Sequence, residues 1–279
     1  MCTVSIGICL FDSSETVEHL LKNADMAMYR AKDSGRNTLR FFDPEMQATL
    51  DRRSALEGDL RQALERDELQ PYYQPQVGPS GQVIGAEILL RWKTRSGGFI
   101  SPADFIPLAE ETGLILPIGA WVMEGACRQI KAWESDARAS LLQVSVNVSA
   151  RQFQQEDFVD TVRSLLDDFA IDASRLKLEL TESMILDDIA TAIDKMQLLR
   201  EFGVAFSLDD FGTGYSSLAY LTRLPLDQLK IDQSFVAKLP GTPSDQIIVE
   251  TTIAMGRGLG LRVIAEGVET EAQHRFLKE

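Results

Sequence analysis

The 279 residues provide for one domain of barrel size plus a smaller companion, and a composition of 44% hydrophobic and 25% charged residues is that of an ordinary globular chain. A formal net charge of −14 excludes DNA or RNA as a partner, whose phosphates need a basic footprint, but allows an anionic small ligand screened by a metal or a few local bases. Cys2, Cys9 and Cys127 show no metal-ligand spacing and fit a reducing compartment, and no apolar run reaches the ~18 residues of a membrane span. A cytoplasmic location is therefore expected, with any membrane anchor or sensory segment of the intact protein lying outside this stretch.

Thr3 to Phe11 alternates, with Val4, Ile6, Ile8 and Leu10 on one face. Val17 to Lys32 carries Leu20, Leu21, Ala24, Ala27 and Met28 at helical spacing, and Thr38 to Phe42 reads as a strand. This β-α-β piece, residues 1–42, is too small to bury a core alone. Asp43-Pro44 reads as a helix cap followed by proline at the first helical position, and Leu56, Leu60 and Leu64 recur within a highly charged run. Residues 43–66 are thus expected to form a helical connector, and 67–279 a second domain.

There, predicted strands at Gln70–Val77, Val83–Trp92, Gln143–Ser149, Leu176–Thr181, Val204–Asp209, Gln228–Asp232 and Arg262–Glu266 alternate with predicted helices at Ala103–Thr112, Ile118–Glu134, Asp157–Phe169, Ile189–Phe202, Ser216–Leu224 and Ser244–Leu259. The alternation predicts an α/β fold with a largely parallel sheet. Gly256, Gly258 and Gly260 follow a helix and precede a strand, so they read as a helix stop and turn rather than a dinucleotide loop.

Barrel and doubly wound sheet both fit this order, and the polar residues at strand ends favour the barrel. Ser207-Leu-Asp-Asp-Phe-Gly-Thr-Gly214 delivers two adjacent acids into a glycine turn, which taken alone is an ordinary capped turn. Opposite the apolar parity, however, lie Glu87, then Ser145 and Asn147, then Lys177 and Glu179, then Ser207 and Asp209, then Lys230, then Glu266, each set on its own strand. Side chains alternate along a strand, so these groups share one lumen near the carboxyl ends of the strands. Glu87, Asn147, Glu179, Asp209 and Asp210 are hard oxygen donors, and a histidine-free set of this kind favours Mg²⁺ or Mn²⁺ over zinc. Two such ions suit phosphodiester hydrolysis, with Lys230 and Glu266 left to orient or deprotonate water.

EILLRW (Glu87–Trp92), SVNVSARQF (Ser145–Phe153), LKLELTES (Leu176–Ser183), SLDDFGTGYSSL (Ser207–Leu218), LKIDQSFV (Leu229–Val236) and VIAEGVET (Val263–Thr270) occur in the order seen in EAL-domain cyclic di-GMP phosphodiesterases, which this stretch resembles. VSIGICLF and NADMAMYRAKDSGRN upstream resemble the C-terminal end of a GGDEF diguanylate cyclase domain without its signature loop, which implies no cyclase activity. The resemblance implies a TIM-like (β/α)8 barrel with its first strand antiparallel to the rest, hydrolysing cyclic di-GMP to linear pGpG with two Mg²⁺ or Mn²⁺ ions in bacterial signalling. It implies metal binding by Glu87, Asn147, Glu179, Asp209 and Asp210, water activation by Lys230 and Glu266, and substrate contacts from Gln74 and Arg91. Glu182 matches an acid that steadies the loop after the paired aspartates and supports catalysis, with Glu269 assisting. That loop, Gly212-Thr213-Gly214, is expected to be mobile and to report substrate or dimer state.

Two departures stand out. Ile88 replaces the alanine of the signature, on the parity that faces the helical shell, and the chain stops at Glu279 before the last strand of the family barrel, so an incomplete barrel is expected. A homodimer through the barrel and upstream GGDEF or sensory domains are further expectations. Alternatives are a cyclic di-GMP receptor module without turnover and a metal-dependent barrel enzyme acting on another phosphate ester.

Overall fold

A strand–helix–strand crossover opens the chain: β1 (Ile6–Ile8) pairs in parallel with β2 (Leu39–Phe41) through α1 (Val17–Asp33). The computed structural model describes residues 3–11, 15–212 and 218–278, and for Leu50, Leu218 and Ala219 only the backbone. Thr16 caps α1 by accepting from the backbone N–H of His19, and the helix buries Met26, Ala27 and Ala31. The strand expected over Thr3 to Phe11 shortens to three residues, because β2 offers only Leu39 to Phe41 to pair with. Val4, Ile6 and Leu10 are accordingly exposed within this unit. The next helix, α2 (Pro44–Ala63), runs up to the division between two compact units, 1–62 and 63–279.

The second unit begins with a hairpin of β3 (Leu69–Val77) and β4 (Val83–Lys93), followed by the short β5 (Phe99–Ile100). Its turn closes with Gly78 N–H donating to the Gln82 carbonyl at 2.8 Å, and Gly81 supplies a φ of 85° that a side chain disfavours. Next come α3 (Pro102–Thr112), α4 (Ile115–Trp133), β6 (Gln143–Asn147), α5 (Ala150–Gln154) and α6 (Phe158–Phe169). After a 3-10 turn at Ala173–Arg175 follow β7 (Leu176–Thr181), α7 (Glu182–Asp187), α8 (Ile189–Glu201), β8 (Ala205–Phe211) and α9 (Leu218–Leu221). β9 (Gln228–Ile231), α10 (Gln233–Val236), α11 (Pro243–Gly258), β10 (Arg262–Ala265) and α12 (Glu271–Lys278) complete the order.

The sheet runs β10-β9-β8-β7-β6-β4-β3, with β5 added to β4. From β4 to β10 every neighbouring pair along this path is parallel, while β3, as the barrel reading requires, and the short β5 off the path both run antiparallel to β4. The sheet curls into a half-barrel whose edges, among the described residues, are β10 and β3. Parallel strands need crossovers, and helices supply them, so the shell face of the sheet must be apolar. Val144, Val146, Leu176, Leu178, Leu180, Phe206, Leu208 and Leu229 form that face and join Met123, Ile130, Met196 and Leu199 of the helices in one buried cluster. Ile88 belongs to the same cluster, so the isoleucine of the departed signature packs into the shell and leaves the inner face alone.

The short helices α5, α7 and α10 were not visible as periodicity, since four to six residues make little more than one turn. Each is set by a local cap or by strand exit. Ser149 and Gln152 form a reciprocal capping box at α5, and Asp232 accepts from Ser234 N–H at α10.

Candidate active site

The carboxyl ends of the strands bring four acids to one amine. Lys230 Nζ lies 2.5 Å from Glu179 Oε2, 2.5 Å from Glu266 Oε1, 3.0 Å from Asp209 Oδ2 and 3.2 Å from Glu87 Oε2. These groups come from β9, β7, the end of β10, β8 and β4, which fall into register through the pairs Glu87↔Ser145, Asn147↔Glu179 and Thr181↔Asp209. Asn147 joins by donating Nδ2–H to Glu87 Oε1 at 2.8 Å.

Lys230 and Glu179 are almost fully buried. Burial alone would lower the Lys230 ammonium, but Glu179, Asp209, Glu87 and Glu266 outweigh it and hold the amine well above its ordinary value. Burial pushes Glu179 up, against the pull of Lys230, and Glu87 and Asp209 add to the rise. Burial also raises Glu266, to about 7, with Lys230 opposing and Asp209 reinforcing. One cation faces four acids here, a formal surplus of three negative charges.

The paired aspartates are not equivalent. The β8–β9 register shifts between Leu208 and Phe211, and Asp210 takes a φ of 54°, a left-handed conformation that aspartate tolerates better than most residues. The bulge turns Asp210 away from strict alternation and leaves it exposed beside Asp209, whose Oδ1 accepts its backbone N–H at 2.9 Å. Although its side chain reaches solvent, partial desolvation beside the cluster raises the Asp210 carboxyl, reinforced by Asp209 and Asp232.

Other expected site residues lie nearby or apart. Gln74 pairs with Glu87 across β3 and β4, so both project from one face, and Gln74 is exposed. Arg91 is half-buried, with its guanidinium 5.9 Å from the Tyr72 ring centroid. Glu182 begins α7, is buried, and accepts from the Tyr220 hydroxyl at 3.2 Å. Glu269 is exposed, and its N–H donates to Gln273 Oε1 at the start of α12. Of the loop expected to move, only Gly212 is described, with a φ of 93°; Thr213 and Gly214 lie outside the described residues.

Sequence reasoning passed over Gln76. It is buried where Gln74 is not, and its Nε2 reaches Glu179 Oε1 and Ser145 Oγ at 3.4 Å each. The signal was present in the two-residue spacing from Gln74, which puts both glutamines on the lumen face. Lys177 is also buried and donates to Gln228 Oε1 at 2.9 Å. Burial lowers its amine to about 8, with Arg262 adding to the fall and Glu179 opposing it.

Among the described residues, no three histidine, cysteine, aspartate or glutamate side chains are arranged as a ready cage for a metal ion. The point on which the acids converge is held by the Lys230 ammonium. The donor chemistry nonetheless fits a hard divalent cation: carboxylates and an amide, without sulfur or imidazole, carry more negative charge than one lysine neutralises.

Comparison with known proteins identifies the families of both segments of the chain. The EAL domain model matches residues 57–279, and the diguanylate cyclase GGDEF domain model matches residues 1–38. The bifunctional diguanylate cyclase/cyclic di-GMP phosphodiesterase MucR of Pseudomonas aeruginosa is 47% identical over 277 residues, 99% of this chain and 40% of the relative. The cyclic di-GMP phosphodiesterase PdeR of Escherichia coli is 38% identical over 276 residues, 99% of this chain and 41% of the relative. The chain thus spans well under half the length of these curated relatives. Among solved structures, the PaMucR phosphodiesterase in complex with c-di-GMP superposes with a TM-score of 0.77 at 48% identity, covering 80% of this chain and 90% of that one. The EAL enzyme Bd1971 with cAMP and cyclic-di-GMP bound gives 0.78 at 33% identity, covering 95% of this chain and 70% of that one.

Proposed function

The chain belongs to the EAL domain family, and from that membership we propose that its 63–279 unit hydrolyses cyclic di-GMP to linear pGpG. The observation that carries the reading is the convergence of Glu87, Glu179, Asp209 and Glu266 on Lys230, with Asn147 tied to Glu87, at the carboxyl ends of parallel strands. A set that had lost its acids, as in a binding-only module, would give no such surplus of negative charge.

Glu87, Asn147, Glu179 and Asp209 are the residues to hold Mg²⁺ or Mn²⁺, with Asp210 bordering a second ion. Bound there, such ions neutralise phosphate charge and acidify water. Hydrolysis adds one water across a P–O3′ bond: a P–O bond to the water oxygen forms, the 3′ oxygen leaves and takes up a proton, and the water gives up another. Glu266, whose carboxylate faces Lys230 at the same centre, is the group to accept the proton of the water. Lys230, cationic at any working pH, orients the water and the carboxylates around it. Gln74, on the face it shares with Glu87, contacts the substrate, and Arg91 presents a planar donor fork to a phosphate oxygen. Glu182, through its bond with Tyr220, ties the start of α7 to α9.

The test is to incubate the protein with cyclic di-GMP and Mg²⁺ or Mn²⁺ and identify the product by mass. The expected product is pGpG, lost with EDTA and in Glu87→Ala and Lys230→Ala. Tight binding of cyclic di-GMP with no product under any metal would overturn the hydrolase reading in favour of a receptor.

A further inference from the structure

Beneath the acid cluster, toward the amino-terminal end of the sheet, the inward face carries a second polar layer of opposite sign. Gln143, Gln228 and Arg262 open β6, β9 and β10, Lys177 is the second residue of β7, and Ser207 is the third of β8. Each shares its strand's parity with a residue of the acid site: Gln143 with Asn147, Lys177 with Glu179, Ser207 with Asp209, Gln228 with Lys230 and Arg262 with Glu266.

Two hydrogen bonds cross the lumen at this level. Lys177 Nζ of β7 donates to Gln228 Oε1 of β9 at 2.9 Å, and Arg262 Nη2 of β10 donates to Gln143 Oε1 of β6 at 3.3 Å. The second bond joins strands four steps apart in the order β10-β9-β8-β7-β6, so the Arg262 guanidinium reaches over the strands that carry Gln228, Ser207 and Lys177. Of the charges acting on Lys177, that of Arg262 has the largest effect, and it is a like charge. Among the described residues neither cation is ion-paired with a carboxylate. The acids whose charge reaches Lys177 are engaged elsewhere, Glu179 by Lys230 and Asp227 by the Phe206 N–H at 2.9 Å.

Two more groups of the layer lack a partner among the described residues. Gln228 is only 2% exposed and its Nε2 has no acceptor, while Ser207, opposite it in the β8–β9 ladder, is fully buried with an unpartnered Oγ. Burying an amide donor without an acceptor is costly, as is burying an ammonium without a counter-charge. Ammonium, guanidinium, amide N–H and hydroxyl are all donors. The species that satisfies them together is an acceptor with negative charge.

We propose that Lys177, Ser207, Gln228 and Arg262 form a binding site for a small oxoanion of the phosphate class at the amino-terminal end of the lumen. Gln143 and Arg262 also line a cavity of about 390 Å³ with Ser174 and Arg175, which gives a tetrahedral anion its way in. The two acids on the cavity wall are turned away from it in charge: Glu134 pairs with Lys131 at 2.8 Å, and Asp172 accepts the Ser174 N–H at 3.0 Å. Arg262 is exposed at the mouth, whereas Lys177, Ser207 and Gln228 form the enclosed floor. Two residues of strand, about 7 Å, separate Lys177 from Glu179, so the anion is held apart from the acid cluster and supplies Lys177 with its counter-charge.

The test uses the whole chain freed of divalent metal by chelation and desalting, so that no metal at the acids binds the probe. Inorganic phosphate is titrated against sodium chloride of matched ionic strength, with melting temperature and calorimetric binding as the readouts. Phosphate is expected to bind at one site per chain and to raise the melting temperature where chloride does not. Arg262→Gln, at an exposed position, is expected to weaken phosphate binding about tenfold, the loss of one charge-assisted hydrogen bond. Gln228→Glu places a carboxylate beside Lys177 and is expected to raise the melting temperature without phosphate and to abolish the phosphate response. If Gln228→Glu fails to fold, Arg262→Gln alone decides. Equal responses to phosphate and chloride in the native chain, or native phosphate affinity in either folded variant, would overturn the site.

Discussion

Lys230 Nζ and Glu179 Oε2 lie 2.5 Å apart with neither side chain more than 1% exposed, which makes this ion pair the most deeply enclosed contact of the acid cluster. The pair is embedded among three further carboxylates, so the lysine is the charge that makes the cluster tolerable to the fold. A buried pair is a weak source of stability, but its rupture leaves a desolvated charge behind.

Lys230→Met is therefore expected to destabilise the metal-free protein by ~3–5 kcal/mol in urea denaturation, beyond the cost of a lost surface ion pair. A change under about 1 kcal/mol would show that the carboxylates relax into water when the amine is gone.

Addition of Mg²⁺ or Mn²⁺ is expected to raise the melting temperature, by the equivalent of ~2.7 kcal/mol at a hundredfold excess over the dissociation constant. Glu87→Ala removes a carboxylate that both Lys230 and Asn147 engage, and is expected to shrink that rise. An equal rise in the variant would place the ion elsewhere.

Arg175 holds the amino-terminal end of the sheet together. Its guanidinium is buried and donates to the carbonyls of Leu142, Ile130 and Ala139 at 3.2, 3.2 and 3.0 Å. Arg175→Met leaves those acceptors without the guanidinium, with an expected loss of ~2–4 kcal/mol. The readout is chemical denaturation, since the site at the opposite end of the strands should retain its KM.

Cys127 is fully buried, and burial, reinforced by the Glu124 charge, pushes its thiol up to about 11. At pH 8 its thiolate fraction is on the order of 0.1%, so iodoacetamide should leave it unmodified until the protein unfolds. The folded state retains this proton where the unfolded state loses it. The thiol's stabilising contribution is thus present below the unfolded thiol value and lost as pH rises toward about 11. Rapid labelling of Cys127 at pH 8 in the native protein would contradict this.

The amino-acid sequence by itself determined the alternation of strands and helices, the apolar shell and the identity of the acids. Period-two parity is a local property, and it put Glu87, Asn147, Glu179, Asp209 and Lys230 on the lumen side without reference to any neighbour. Family motifs added the antiparallel first strand, which the pairing of Tyr73 with Ile88 and Gln74 with Glu87 bears out.

Tertiary structure decided what depends on strands meeting. The bulge between Leu208 and Phe211 makes Asp209 and Asp210 different groups, and Lys230 becomes the centre of the acids only when five strands are in register. Gln76 is selected over Gln74 as the buried partner of Glu179, and Tyr72 finds Phe99 across an intervening strand. Parity says which side of its own strand a residue occupies. Depth along the lumen, distance to another strand's side chain and the electrostatic field at a carboxylate are set by register and curvature, which a linear pattern does not carry.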